Sequence, residues 1–183
     1  MSSLEQALVK IARILRAKKI PYMVIGGVAN LFFGIPRTTL DIDITIRLRE
    51  NAYERLFKDL KKQYRFRVKD PMSFVAETNV LPLEDFKGIR LDLIFAKLPY
   101  ELQAIRRSKS IRVYGEPVRI CSPEDLIVHK IVSDRSRDRE DVRGVISSHR
   151  SKLNRKYLDP IVQDLALSLA KPDMLKFYRS CFR

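Results

Sequence analysis

The chain has 183 residues, enough for one domain, or one domain with a small helical appendage, to bury a core without disulfides or structural zinc. Apolar residues at 45% and charged ones at 32% describe a soluble globular composition and exclude a disordered or collagen-like chain. The 36 Lys and Arg against 22 acids leave a net charge of +14, which favours a polyanionic partner, nucleic acid before an anionic membrane, unless it is a solubility or thermostability adaptation.

Leu4, Ala7, Leu8, Ile11, Ile14 and Leu15 recur at helical spacing and predict an amphipathic first helix. Residues 20–25 form a short apolar run ending at Gly26-Gly27, the pattern of a buried strand, and residues 28–33 predict a short helix closed by Gly34 and Pro36. Residues 40–46 alternate apolar and polar without a miss, the cleanest strand signal in the chain. Ala52, Tyr53, Leu56, Phe57 and Leu60 mark a second amphipathic helix, and residues 64–68 and 73–77 read as strands. Residues 89–95 alternate again, and residues 111–120 suggest a hairpin turning near Gly115-Glu116-Pro117. From Ser122 onward the pattern turns helical, with Ser122 and Asp125 as a capping-box variant, and Tyr157, Leu158, Ile161, Val162, Leu165, Ala166 and Leu169 mark the last clear helix. The expected fold is therefore α+β, a mixed β-sheet flanked by helices over residues 1–121 followed by a helical C-terminal part over 122–183. The most apolar stretch, residues 24–35, is short and broken by glycines, so no membrane span is expected. The N-terminus shows neither a basic n-region nor an apolar h-region, and a cytoplasmic protein is the expectation.

Chemistry concentrates in the acidic strand. Successive side chains on a strand point to opposite faces, so Asp41 and Asp43 share one face, about 7 Å apart along the backbone, while Leu40, Ile42, Ile44 and Ile46 share the other and face a core. Like charges at that distance repel, and a divalent metal relieves the conflict. Oxygen-only ligands point to magnesium rather than zinc. Asp92, at the centre of the second alternating strand, offers a third carboxylate for one or two magnesium ions if the strands are neighbours. The competing reading makes Asp41 and Asp43 ordinary solvent-facing residues of a half-exposed strand. Gly26-Gly27 ends a strand and opens a helix, where backbone N–H groups can cradle a phosphate, although such a pair also serves as a plain tight turn. Arg37, Thr38 and Thr39 precede the acidic strand and place a cation and hydroxyls within reach of the same triphosphate.

Gly26-Gly27 followed by Arg37-Thr38-Thr39-Leu40-Asp41-Ile42-Asp43 resembles the first motif of the polymerase-beta-like nucleotidyltransferase superfamily. Lys130, then Arg135-Ser136-Arg137-Asp138 and Asp141, is similar to the later Lys and Arg-x-Lys-Asp motif of its abortive-infection (AbiEii-type) toxin branch, with Arg137 where that branch usually has Lys and a shorter interval. The resemblance spans residues 20–145. It implies magnesium-dependent transfer of a nucleotide from an NTP to an acceptor hydroxyl with release of pyrophosphate. Asp41, Asp43 and Asp92 would bind two magnesium ions, with Asp92 helping to deprotonate the acceptor. Gly26, Gly27, Arg37, Thr39, Lys130 and Asp138 would bind the nucleotide, Lys130 by neutralising phosphates. The charge makes RNA, such as a tRNA 3′ end, the first acceptor, with protein or a small molecule open, and the branch adds a possible antitoxin partner. The rival from another class is a non-catalytic RNA-binding or partner-regulating module on the same scaffold.

Other residues carry weaker signals. Lys58, Lys61, Lys62, Arg65, Arg67 and Lys69 form either a solvated face or a grip on a phosphate backbone, with a second basic group running from Arg135 to Lys156. Tyr64, Phe66 and Tyr114 are candidates for base stacking or for the core. Without the resemblance, Asp138 and Asp141 among Arg135, Arg139 and Arg143 read as surface ion pairs of little weight. His129 and His149 offer no zinc motif, and Cys121 and Cys181 no disulfide framework.

Overall fold

The computed structural model describes residues 2–183 and is of the expected α+β class, a mixed seven-stranded sheet with helices. Its strands are β1 (Tyr22–Ile25), β2 (Asp41–Ile46), β3 (Tyr64–Phe66), β4 (Val80–Asp85), β5 (Arg90–Phe95), β6 (Lys109–Val113) and β7 (Glu116–Ile120), in the order β3-β4-β5-β2-β1-β7-β6. The chain divides into two compact units. The first comprises the residues up to Val28 with Thr38–Cys121, and the second Ala29–Arg37 with Ser122–Arg183. Segment 29–37, which the sequence reading kept with the first 121 residues, thus groups with the C-terminal part.

The whole sheet lies in the first unit, with α1 (Ser3–Ala17), α3 (Tyr53–Leu60), α4 (Pro71–Thr78) and α5 (Pro99–Arg107). Helix α1 starts at a capping box: Ser2 Oγ accepts from the Glu5 N–H, and Glu5 accepts from the Ser2 N–H at 2.7 Å. Its buried Ala7, Leu8, Ile11, Ala12 and Leu15 lie on the face the sequence periodicity predicts. The sheet residues Val24, Ile42, Ile44, Ile46, Leu91 and Leu93 are almost fully buried, and Phe95 meets Tyr53 with ring centroids 4.3 Å apart.

Several sequence expectations are corrected here. Residues 73–77 are helical, not extended: the Asp70 side chain accepts from Met72 N and Ser73 N, Pro71 occupies the first turn, and Asn79 closes α4 at φ 57°. Leu40 is 71% exposed and precedes β2, so it does not join the core face. Strand β4 escapes the sequence reading because Pro82 interrupts it. Pro82 pairs with Asp92 of β5 and its carbonyl accepts from Arg67 N, just beyond the end of β3. A strand residue's N and C=O point to the same side, so the missing N–H faces Arg67, past the last residue of β3, and not β5. Tyr64 is buried rather than available for stacking, Phe66 stands edge-on to Phe57, and only Tyr114, at the β6–β7 turn, is widely exposed.

The second unit contains α6 (Pro123–Ile131), α7 (Ser136–His149), α8 (Arg155–Ser168) and α9 (Pro172–Ser180), while α2 (Gly26–Phe33) begins in the first unit and ends in the second. Helix α6 is buried along almost its whole length, charged residues included. Ser122 caps it, accepting from Asp125 N at 3.1 Å and donating to the Asp125 carboxylate at 2.7 Å, and Tyr157 of α8 donates to the same carboxylate at 2.7 Å. No helix among the described residues is long and apolar enough to cross a membrane.

Candidate active site

Strands β2 and β5 run parallel, with Asp41 opposite Arg90 and Asp43 opposite Asp92. Residues opposite one another in a ladder project to the same face, so Asp41, Asp43, Asp92 and Arg90 share one, and neighbouring strands are about 4.8 Å apart. The opposite face carries Ile42, Ile44, Leu91 and Leu93, all at most 1% exposed. The carboxylates are graded in exposure, Asp41 exposed and Asp43 and Asp92 intermediate. Burial is the main cause that pushes the Asp92 carboxyl above its ordinary pKa. Arg67 and Arg90 oppose the rise, and the negative charge of Asp41 adds to it.

Gly26 and Gly27 are where β1 becomes α2, and other side chains approach both closely. Gly26 has φ +64°, and a Cβ placed there would lie 1.9 Å from Asp43 Oδ2. A Cβ on Gly27 would lie 2.4 Å from Thr39 Oγ1. The open faces of the glycine pair are thus filled by the Asp43 and Thr39 side chains. The Asp43 carboxylate sits against the first residue of α2, where the helix dipole favours negative charge. Gly26→Ala is therefore expected to cost more stability than Gly88→Ala. Gly88 shares a positive φ of 81° but has open space around it, so it reports only the backbone cost of about 1–2 kcal/mol. Denaturant unfolding of both variants gives the comparison, and equal losses would mean that Asp43 yields freely.

The donors fit a hard divalent cation in kind, being oxygen only, on one face and on adjacent strands. Among the described residues, however, no group of three or more His, Cys, Asp and Glu side chains is gathered closely enough to hold a metal ion as it stands. Carboxylates sharing a face repel one another, and the raised pKa of Asp92 registers that repulsion together with burial.

Within the second unit the remaining predicted residues form a buried ion network. Lys130 Nζ donates to Asp138 Oδ1 at 2.9 Å and lies 2.6 Å from Asp141 Oδ2. Arg37 forks onto Asp141, Nε to Oδ1 at 3.0 Å and Nη2 to Oδ2 at 2.8 Å. Arg135 Nε donates to Asp138 Oδ2 at 2.6 Å. Lys130, Asp138 and Asp141 are each about 5% exposed, so these are not the surface ion pairs that charge alternation suggests. Burial pushes both aspartates up, but hydrogen bonds and neighbouring charges outweigh it: Lys130, the Ser133 side chain and Arg135 around Asp138, Arg37 and Lys130 around Asp141. Both are held below the usual carboxylate range. As placed, Arg37 is paired with Asp141, and Lys130 with both Asp138 and Asp141. Asp141, absent from the predicted site set, is the acid both cations share.

The pattern of the family described as "Nucleotidyl transferase of unknown function (DUF2204)" matches residues 4–167. The chain belongs to this family. The DUF2204 fold recurs in solved structures of low sequence identity. An antigenic nucleotidyltransferase-like protein from Paracoccidioides brasiliensis is 18% identical with a TM-score of 0.59, the match covering 98% of this chain and 94% of that one. The aminoglycoside enzyme ANT(2")-Ia, solved with adenylyl-2"-tobramycin, is 15% identical over 92% and 99% of the two chains, with a TM-score of 0.61. The lincosamide antibiotic adenylyltransferase LnuA, solved with lincomycin, is 17% identical over 80% and 98%, with a TM-score of 0.55. No curated protein matches the sequence. At these identities the solved structures establish the fold, and the DUF2204 assignment makes the chain a nucleotidyltransferase.

Proposed function

We propose that this nucleotidyltransferase moves an NMP from an NTP to an acceptor hydroxyl, RNA in the first instance, with magnesium held by Asp41, Asp43 and Asp92. The observation that carries the reading is the β2–β5 register, which sets all three carboxylates on one face. Magnesium bound there would neutralise the triphosphate and make the α-phosphorus more open to attack. Asp92, on the same face as Asp41 and Asp43, would take the proton of the attacking hydroxyl. The acceptor oxygen bonds to the α-phosphorus, the bond from that phosphorus to the bridging oxygen breaks, and pyrophosphate leaves. Gly26 and Gly27 act by letting Asp43 and Thr39 close onto the start of α2. Arg37, Lys130 and Asp138 support the second unit from within their ion network.

The net charge of +14 and the six exposed cations between Lys58 and Lys69 support a polyanionic acceptor. An acceptor carrying several ammonium groups, such as the tobramycin of the ANT(2")-Ia complex, would meet repulsion instead. The resemblance to the abortive-infection branch supports a toxin-like setting with a cognate antitoxin. The test is incorporation of each α-labelled NTP, with magnesium, into total RNA and total protein, Asp41→Asn run beside the native chain. Label in RNA that vanishes with the variant is the expected result. Label in protein keeps the chemistry and overturns the acceptor. RNA binding without any label, steeply weakened by salt, would favour the non-catalytic reading.

A further inference from the structure

A cavity of about 530 Å³ opens in the first unit, where β1 begins and β2 ends. Its Tyr22 is paired with Ile46, whereas Ile25, beside Gly26, is paired with Asp43, so the cavity lies about 10 Å along the strands from the carboxylates. Five cations line it: Arg16, Lys19, Arg47, Arg106 and Arg119. No acid does. Apolar lining comes from Ile20, Pro21, Leu102 and Ile105.

Two of the five cations are committed elsewhere. Arg16 bonds to Glu116 at 2.9 Å and to the Pro117 carbonyl, and Arg119 to the hydroxyl and carbonyl of Ser108. Lys19, Arg47 and Arg106 make no side-chain hydrogen bond or ion pair among the described residues, and all three are exposed. Lys19 also holds φ +56° just past the end of α1, a conformation that glycine adopts more cheaply, so a cation stands at the rim at some backbone cost.

We propose that this cavity binds an organic phosphate of nucleotide size, without need of magnesium. The volume lies within the range of small-molecule sites and far exceeds a bare phosphate, so the ligand carries a body that rests on the apolar lining. Lys19, Arg47 and Arg106, without an acidic partner among the described residues, raise the local potential and favour an anion, and guanidinium groups bind phosphate oxygens by forked, charge-assisted hydrogen bonds. Guanidinium planes also stack on flat rings, which a nucleobase supplies. A free nucleotide and a nucleotide within an RNA strand present the same chemistry here.

The test follows methyl NMR signals of the full chain in EDTA as AMP, adenosine, inorganic phosphate or a 5′-phosphorylated oligoribonucleotide is added. AMP is expected to shift the methyls of Ile20, Leu102 and Ile105 saturably, with adenosine and phosphate each at least about tenfold weaker, the loss of one or two charge-assisted hydrogen bonds or of the apolar contact. Arg47→Glu with Arg106→Glu weakens AMP by at least about tenfold, and the milder Arg47→Gln with Arg106→Gln serves if the charge reversal perturbs the fold. The additional thermal stabilisation that magnesium confers over NTP alone stays as in the native chain. An oligoribonucleotide binding more tightly than AMP assigns the cavity to a strand, and one binding no more tightly assigns it to a free nucleotide. Shifts confined to Ile25 beside Gly26, equal binding of adenosine, indifference to both double variants, or no saturable binding would overturn the proposal. None of these readouts requires nucleotidyl transfer, so failure of the catalytic reading leaves them intact.

Discussion

Asp43→Asn is expected to lower nucleotidyl transfer by about a thousandfold or more, on the order of 4 kcal/mol of transition-state stabilisation. The substitution is nearly isosteric, so the contact of residue 43 with Gly26 survives while the charge is lost. A direct binding readout accompanies the rate. Magnesium plus NTP at about a hundred times its dissociation constant stabilises the native chain by roughly 2.7 kcal/mol, and for a chain of this size that raises Tm by about 5–10 °C. The variant should lose the part of that gain that depends on magnesium. A variant that kept both the label and the shift would remove Asp43 from the site, whereas loss of the label with an intact shift would confine its role to the chemical step.

The second large effect belongs to Lys130. Lys130→Met removes the cation lying between two aspartates, each about 5% exposed. Breaking a buried ion pair costs about 3–5 kcal/mol because a desolvated charge is left behind. Here the low end, about 3 kcal/mol, is expected, since Asp141 keeps Arg37 and Asp138 keeps Arg135. The pH dependence follows from the direction of the shifts. Both aspartates have lowered pKa values in the folded chain, so their contribution is complete above the unfolded carboxylate value of about 4 and disappears as pH falls through the folded values. Urea unfolding of the native chain and the variant should therefore differ most near neutrality and converge in acid. A gap that persisted at low pH would assign the loss to the packing of the Lys130 stem instead of its charge.

The parts of the fold legible in the sequence are those encoded by nearby residues. The alternation over residues 40–46 and 89–95 marks β2 and β5, because side-chain direction along a strand needs no distant partner. The capping residue Ser122 and the turn at Gly115 are equally local. Helix α4 resembles a strand in sequence because a short apolar run fits either element, and the Asp70 cap with Pro71 in the first turn is the local signal that marks a helix. Helices α5 and α9 also begin with a proline in the first turn, at Pro99 and Pro172, and that signal too was available in the sequence.

The sequence by itself determined that Asp41 and Asp43 share a face, that Gly26-Gly27 follows a buried strand, and that the surface is strongly basic. Only the tertiary structure decided that Asp43 stands level with Asp92, because register between strands is set by packing across the sheet. It also turned an apparent surface charge pattern around Asp138 and Asp141 into a buried network. Helical charge spacing looks the same whether the helix faces water or a neighbour, and α6 packed against α7 supplies the burial. The basic cavity is of the same kind. Arg16 and Arg119 lie about a hundred positions apart in the chain, and only the assembled sheet brings them to one wall.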